Sequence, residues 1–199
     1  MVDALLSLYP TDPRLGCPYN TGTVKLTAGA LDKQACSIFG DLVQIAPARM
    51  IAQSLTQHNG KAPVYRFRFN HLPSGSDASS RGIGTGVEQS YVFSNLVPNS
   101  PYDKALAYEM SSAWVSFAHD LNPNPGGGKL PPPPSPGRRG EPSSSDNIAP
   151  ASNLPFWPVY GQNASSMVFN GFGSTIEQDT YRAEGMEYII KNVLPYGAY

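Results

Sequence analysis

The sequence predicts an α/β fold in which helices pack on an incomplete sheet. Residues 64–69 alternate between two faces and are rich in aromatic side chains, which is typical of a β-strand. Residues 32–57 and 103–119 carry apolar side chains at helical spacing. Residues 166–169 supply the only other clear strand, and two strands alone do not make a stable sheet. We therefore expect the aromatic strand to need neighbours on both sides that this sequence does not supply.

Composition and charge exclude several classes of function. The 199 residues carry 14 Lys and Arg against 15 Asp and Glu, which gives a formal net charge of -1. Nucleic acids and anionic membranes select clustered basic surfaces, so neither is an expected partner. The N-terminus lacks the basic and apolar regions of a signal peptide, and no stretch approaches the ~18 apolar residues of a membrane span. We expect a soluble chain without a membrane span and without a targeting signal.

The N-terminal part begins with a short helix and a long loop. Residues 3–9 are predicted to be helical, and Pro10 ends the helix. Prolines and glycines punctuate residues 11–31, which predicts a loop. Cys17 and Cys36 form either one disulfide or two small core residues, because spacing alone does not decide the connectivity. Neither cysteine belongs to a CxxC or Cys/His cluster, so we expect no metal and no cofactor.

The helix predicted over residues 32–57 has one apolar stripe and one interruption. The stripe consists of Phe39, Leu42, Val43, Ala46 and Met50. Pro47 predicts a kink or a second helix that begins near it. Asp41 lies on or beside the buried face, where we interpret it as an N-cap or as a satisfied polar residue under a loop rather than as a catalytic carboxylate.

The aromatic strand leads into a Gly/Ser loop and then into another helix. The loop ends in the cluster Tyr91-Val-Phe93, and loops held at the end of a strand often carry catalytic groups. The helix of residues 103–119 has an apolar stripe that we interpret as core packing rather than as a cofactor site. Its members are Leu106, Met110, Ala113, Trp114 and Phe117.

Residues 125–150 are a Gly/Pro/Ser-rich insert that we expect to be disordered. Its proline run, Pro131–Pro134, is either a spacer or a ligand for a domain of the SH3 or WW type. The strand of residues 166–169 and a helix over residues 180–193 follow the insert. Asn163 begins the glycosylation sequon Asn-Ala-Ser, which has meaning only in a secreted chain.

A series of short motifs follows a specific order along the chain. It comprises Leu5-Leu-Ser-Leu-Tyr-Pro-Thr-Asp-Pro13, Gly16-Cys-Pro-Tyr-Asn20, Ile38-Phe-Gly-Asp41, Val64-Tyr-Arg-Phe-Arg-Phe-Asn70, Glu88-Gln-Ser-Tyr-Val-Phe93, Trp114-Val-Ser-Phe-Ala118, Asn122-Pro-Asn124 and Trp157-Pro-Val-Tyr160. Together these motifs resemble the C-terminal part of type B carboxylesterases and lipases, particularly the secreted fungal ones. The resemblance implies that residues 1–199 form the C-terminal part of a carboxylesterase type B domain with an α/β-hydrolase fold, interrupted by the insert.

The resemblance also implies ester hydrolysis by a Ser-His-Asp/Glu triad whose serine lies on a G-x-S-x-G turn. The sequence contains no G-x-S-x-G, and in the family the serine and the acid lie upstream of the matched part. The family's histidine stands three residues before the position of Glu88, where this sequence has Thr85. A threonine hydroxyl cannot serve as the proton shuttle that imidazole provides. We interpret His58, His71 and His119 as satisfied or solvent-facing residues.

We therefore expect no intact catalytic site in this chain and no ester hydrolysis by the chain alone. An ester substrate is implied only for full-length members of the family. The alternative is a non-catalytic, cholinesterase-like binding protein. A small interaction protein that acts through Pro131–Pro134 is the third hypothesis. The family is commonly secreted whereas this sequence has no signal peptide, so the compartment stays open.

Overall fold

A computed structural model describes residues 1–11, 27, 29, 31–59, 62–77, 83–96, 100–124, 154–161 and 163–194. The described elements in chain order are α1 (Val2–Leu8), α2 (Asp32–Gly40), a π-helical turn (Asp41–Ile45), α3 (Ala46–Asn59), β1 (Phe67–Phe69), α4 (Gln89–Val92), α5 (Pro101–Asp120), β2 (Ser165–Phe169), β3 (Thr175–Gln178) and α6 (Ala183–Asn192). The insert of residues 125–150, its Pro131–Pro134 run and Cys17 lie outside the described residues. The expectations for them stay predictions.

Three strands form one mixed sheet in the order β1-β2-β3. β1 pairs in parallel with β2, with Phe67 opposite Met167 and Phe69 opposite Phe169, and β2 pairs antiparallel with β3. The described part of the sheet therefore has one strand more than the sequence predicts. The expectation that this sequence supplies neither neighbour of the aromatic strand is wrong on one side, where β2 pairs with it. β3 lacks a strand signal because Ile176 is its only strongly apolar residue and most of its side chains are exposed.

The aromatic strand is shorter than predicted. Regular pairing begins at Phe67 and not at Val64. The residues before it still run along the sheet, since the Tyr160 amide donates to the Val64 carbonyl at 2.7 Å and the Met167 amide donates to the Arg66 carbonyl at 3.0 Å. The alternation seen in the sequence thus describes an extended segment of which only the second half forms a ladder.

One face of the sheet packs on α5 through aromatic side chains. Phe67 and Trp114 meet edge to face with ring centroids 4.9 Å apart, and Trp157 and Phe169 do so at 5.3 Å. Such arrangements are favoured by the ring quadrupoles in addition to the burial of area. The fully buried members of this core are Tyr91, Leu106, Met110, Ala113, Met167 and Phe169. The prediction that the α5 stripe is core packing is confirmed for Leu106, Met110 and Ala113, whereas Phe117 is 42% exposed.

A second, smaller core joins α1, the α2–α3 helical run and α6. Its buried members are Tyr9, Ala46, Met186 and Ile189. Gly185 in α6 lies directly against the Tyr9 ring, where a Cβ would come within 2.7 Å of the Tyr9 hydroxyl. Only a glycine lets α6 approach α1 this closely.

The apolar stripe predicted for the α2–α3 run is wrong for most of its members. Phe39 is 67% exposed, Val43 52% and Met50 36%, and only Ala46 is fully buried. The inward positions of the run instead include the polar residues Lys33, Ser37, Asp41 and Arg49. Asp41 and Arg49 pair there with Arg182 and Asp179, and the Ser37 hydroxyl donates to the Lys33 carbonyl, so this run buries polar side chains as well as apolar ones.

The interruption predicted at Pro47 takes the form of a π-helical turn. The turn ends at Ile45, and α3 begins at Ala46 with Pro47 as its second residue. Because proline lacks an amide hydrogen, a change of hydrogen-bond pattern just before it costs less there than in the interior of a helix.

The helical run Asp32–His58, 27 residues long, also meets the length and composition criteria for a membrane-crossing helix, against the expectation that no stretch would. Helices of soluble proteins meet the same criteria. Two buried charged groups of this run, Asp41 and Arg49, are paired with Arg182 and Asp179 of the same chain.

Candidate functional site

The loop between β1 and α4 is the candidate site, because it holds Thr85. Thr85 is exposed and begins the turn Thr85–Glu88, in which Gly86 adopts a φ of +84° that favours glycine. The turn leads directly into α4, whose Tyr91 packs on Phe69 with ring centroids 5.1 Å apart. Phe69 is the last residue of β1, so the turn lies near the C-terminal end of that strand.

His71 follows β1 by two residues and is buried, with 2% exposure. Its Nε2 lies 2.7 Å from Asp103 Oδ1, and its Nδ1 accepts a hydrogen bond from the Gly171 amide at 3.2 Å. An amide hydrogen can only be donated, so Nδ1 carries the lone pair and Nε2 carries the proton that is donated to Asp103. Both ring nitrogens are therefore in use.

Asp103 collects hydrogen bonds from three segments of the chain. Its Oδ1 accepts from His71 and from the Tyr91 hydroxyl at 2.7 Å each. Its Oδ2 accepts from the Ser100 hydroxyl at 2.8 Å, the Ser100 amide at 3.2 Å and the Ser74 amide at 3.3 Å. Burial opposes the charge, but these donors together hold the pKa of Asp103 well below its usual range. Burial, and then the bond to Asp103, raises the pKa of Tyr91.

This cluster contains serine, histidine and aspartate but is not a catalytic triad. In a triad one imidazole nitrogen faces the carboxylate and the other faces the serine hydroxyl. Here the second nitrogen of His71 is taken by the Gly171 amide. The Ser74 hydroxyl donates to the Ser100 hydroxyl at 2.8 Å, and Ser100 bonds Asp103 rather than His71. The cluster ties the end of β1 to the starts of α4 and α5, and has no free base.

The other two histidines face solvent. His58 Nδ1 lies 2.9 Å from the Ser54 carbonyl, one turn earlier in α3. His119 is near the end of α5, with Nδ1 2.6 Å from Asp120 Oδ1, and both side chains are more than half exposed. The interpretation of the three histidines as satisfied or solvent-facing residues agrees with these positions.

Asp41 is a paired buried residue, which agrees with the interpretation as a satisfied polar residue, whereas the N-cap interpretation is wrong because Asp41 lies inside the continuous helical run. Its Oδ2 accepts a hydrogen bond from the Tyr9 hydroxyl at 2.8 Å, and Arg182 Nη2 lies 3.0 Å from its Oδ1. Burial raises the pKa of Asp41 to about 6, although Arg182 and the bond from Tyr9 act in the opposite direction. Burial, together with the neighbouring Asp41 carboxylate, likewise raises the pKa of Tyr9.

A second ionic cluster lies on the face of the sheet opposite the aromatic core. The Asp179 carboxylate accepts hydrogen bonds from Arg49 Nε at 2.8 Å and Arg49 Nη2 at 2.6 Å. It accepts another from Arg66 Nη1 at 2.6 Å. The Tyr160 hydroxyl donates to the same carboxylate at 2.9 Å, and burial followed by this bond raises the pKa of Tyr160 to about 12. The cluster joins α3, the residue before β1 and the segment after β3.

The remaining predicted site residues are separate from these clusters. Cys36 is exposed on α2, with its Sγ 3.9 Å from Asp32 Oδ1, and the disulfide with Cys17 stays a prediction because Cys17 is outside the described residues. Asn163 is exposed in the turn before β2. Within the described ranges, no group of three His, Cys, Asp or Glu side chains could hold a metal ion.

Sequence reasoning missed the partnership of His71 with Asp103 and Tyr91. One signal was present: Ser100 and Asp103 have the spacing of a capping box, and the box is formed at the start of α5. That spacing identifies Asp103 as a helix-start residue, but the approach of His71 depends on the path of the loop.

The comparisons with known proteins agree on one family. The family model described as the carboxylesterase family matches residues 19–186. Carboxylesterase 4A of Bos taurus is 37% identical over 79 residues, which cover 37% of this chain and 14% of that protein. Fumonisin B1 esterase of Sphingopyxis macrogoltabida is 40% identical over 70 residues, which cover 29% of this chain and 12% of that protein.

A solved structure shares the fold at low sequence identity. The crystal structure of Aspergillus niger EstA matches 98% of this chain with a TM-score of 0.69 and 15% identity. The match covers 32% of EstA, so this chain spans about a third of that protein's length, and its aligned segments span still smaller shares of the two curated relatives. These relatives come from an animal, a bacterium and a fungus and do not single out a fungal origin.

Proposed function

The chain belongs to the carboxylesterase family and has part of the α/β-hydrolase fold, and from this premise we propose that it is a C-terminal lobe of that fold which does not hydrolyse esters by itself. The observation that carries the proposal is the exposed Thr85 in the turn before α4, at the position where the family resemblance implies a histidine. A threonine hydroxyl neither accepts nor delivers a proton near neutral pH as an imidazole does.

The proposal is supported by the state of His71, which is the histidine nearest to Thr85 in the sequence. Its two ring nitrogens are bonded to Asp103 and to the Gly171 amide, and the ring is buried. To act as a base it would have to break one of these bonds and reach the surface. The absence of a G-x-S-x-G segment from the sequence supports the proposal independently, because the family's nucleophile lies on such a turn.

The proposal is tested with the purified full chain and short-chain p-nitrophenyl esters. We expect no turnover above buffer, and no labelling by a serine-directed organophosphate. Thr85→His is expected to remain inactive, because a histidine without a nucleophile and an acid cannot complete the triad. Turnover by the wild-type chain that an organophosphate abolishes would overturn the proposal.

A non-catalytic, cholinesterase-like binding protein is the second candidate, and the exposed apolar side chains of the α2–α3 run favour it. Phe39, Val43 and Ile51 are each more than half exposed there, and large exposed apolar patches often mark interfaces. Sequencing the transcript upstream of Met1 separates the two candidates. An in-frame G-x-S-x-G segment there would support the lobe of a longer esterase, whereas a transcript without one would support the binding protein.

Pro131–Pro134 remains a proposed contact for a partner of the SH3 or WW type. A pull-down with such domains that is lost when these four prolines are replaced by alanine would support this role. Retention of the same partners by the replaced chain would contradict it.

A further inference from the structure

We propose that Asn163 is the site of an N-linked glycan in a secreted form of the chain, on the end of the sheet opposite the loop that contains Thr85. Asn163-Ala164-Ser165 has the Asn-x-Ser pattern with a residue other than proline in the middle. It is the only such tripeptide in the 199 residues. A glycan found on this chain in an asparagine linkage would therefore be assigned to one position.

The turn that carries Asn163 holds its side chain in solvent. Asn163 is exposed, and the backbone on both sides of it is fixed by hydrogen bonds. The Ala164 amide donates to the Gly161 carbonyl at 3.2 Å, and the Ser165 amide donates to the Tyr160 carbonyl at 3.2 Å. Ala164 has a φ of +45°, and its carbonyl accepts from the Asp179 amide at 2.8 Å. A large substituent on Asn163 would leave this turn without displacing a neighbour.

A buried ionic cluster lies next to the turn. Tyr160, just before the turn, donates its hydroxyl to Asp179, and Asp179 also holds Arg49 and Arg66. These contacts lie on the inner side of the turn, so they do not compete with a glycan on the outer side. Attachment is accordingly expected to leave the folded core intact.

The parallel pairing of β1 and β2 places the sequon away from Thr85. Asn163 precedes the first residue of β2, whereas the loop with Thr85 follows the last residue of β1. β2 is five residues long, so its two ends are four steps apart, a span of about 13 Å at roughly 3.3 Å per residue. A glycan at Asn163 would therefore leave the candidate site open, and the inference does not depend on whether that site is catalytic.

The test is expression of the full chain behind a cleavable secretory leader in a eukaryotic host, with a reference sequon in a C-terminal tag. We expect one glycan on the tag and one on the chain, both removed by peptide:N-glycosidase F. Asn163→Gln and Ser165→Ala should each lose the glycan on the chain and keep the glycan on the tag. Ser165→Thr should keep both glycans. The glycosylated chain and Asn163→Gln should have the same urea midpoint.

Modification of the reference sequon alone, in both the wild-type chain and Ser165→Thr, would overturn the proposal. So would a glycosylated chain that unfolds at a clearly lower urea concentration than Asn163→Gln, because the side chain would then not be free of the fold. Since neither readout measures ester hydrolysis, failure here is distinct from failure of the proposed function.

Discussion

His71 donates from Nε2 to Asp103 Oδ1 at 2.7 Å, and the same ring accepts the Gly171 amide on Nδ1 at 3.2 Å. This single imidazole joins the end of β1, the start of α5 and the turn between β2 and β3. Both ring nitrogens are bonded inside the fold, although His71 lies in the loop where a hydrolase of this family would be expected to present its catalytic base.

The first prediction concerns the stability that His71 provides. His71→Ala should lower the free energy of unfolding by about 2–4 kcal/mol, because it leaves a cavity and removes a donor from Asp103 and an acceptor from Gly171. Urea denaturation followed by circular dichroism measures the change. His58→Ala, at an exposed position on α3, is the matched control and should leave the midpoint nearly unchanged. Equal urea midpoints for the two variants would show that the buried contacts of His71 do not stabilise the fold.

The second prediction concerns the close approach of Gly171 to the same ring. A Cβ on Gly171 would lie 2.6 Å from His71 Cε1, so Gly171→Ala should lower the free energy of unfolding by about 1–3 kcal/mol through overpacking. Gly40→Ala is the control, because nothing lies within 4 Å of its Cβ position and α2 is helical there. That variant should be neutral or stabilise the chain by up to about 1 kcal/mol. Loss of stability only in Gly40→Ala would contradict the described packing.

The contrast between α5 and the α2–α3 run shows how far the sequence predicts this fold. α5 has both an apolar stripe and a capping box formed by Ser100 and Asp103, so its position and its buried face follow from local pattern. The α2–α3 run has an equally clear stripe, but the polar residues Asp41 and Arg49 of this run are buried. Which residues of the run face inward depends on their partners Arg182 and Asp179, which are 130 or more residues away.

The same distinction applies to the candidate site. Thr85 could be picked out from a motif, because it stands three residues before Glu88, and the three histidines could be named because the sequence contains no others. The partners of His71 could not, because Asp103 and Gly171 reach it from 32 and 100 residues further along the chain. β3 was missed for a related reason: its pairing with β2, and not its own composition, makes it a strand.

The third prediction concerns the carboxylate shared by two arginines. Asp179→Ala should lower the free energy of unfolding by about 3–5 kcal/mol, because it leaves the buried guanidinium groups of Arg49 and Arg66 without their counterion. Glu187→Ala breaks an exposed ion pair with Lys191 on α6 and should leave the urea midpoint unchanged. If both variants unfolded at the wild-type midpoint, the cluster under the Asn163 turn would not stabilise the fold.

The fourth prediction concerns the outward side of the α2–α3 run. Replacing Phe39 and Val43 together by glutamine should reduce binding of the dye ANS and any concentration-dependent self-association, with little loss of stability, because both side chains are already exposed. Light scattering and dye fluorescence measure these changes. Met110→Gln, in the buried stripe of α5, should instead lower the free energy of unfolding by about 2–5 kcal/mol. A comparable loss in the double variant would mean that the outward side is covered in solution.

The last prediction concerns the pH dependence that Asp41 confers. Burial raises the pKa of this carboxyl from 3.8 to about 6 in the folded chain, so between these values the folded chain keeps a proton that the unfolded chain releases. The free energy of unfolding should therefore fall as pH rises from about 4 to about 6, by at most about 3 kcal/mol. Asp103 acts in the opposite direction only below about pH 4, because its folded pKa is depressed and its contribution to stability is lost as pH falls further.

Asp41→Asn should flatten the pH dependence of stability between pH 4 and 6, whereas Asp3→Asn, at an exposed position in α1, should keep that dependence. Urea midpoints measured between pH 4 and 6 test this prediction. If the midpoint changed with pH by the same amount in the wild-type chain and in Asp41→Asn, Asp41 would not be the source of the pH dependence.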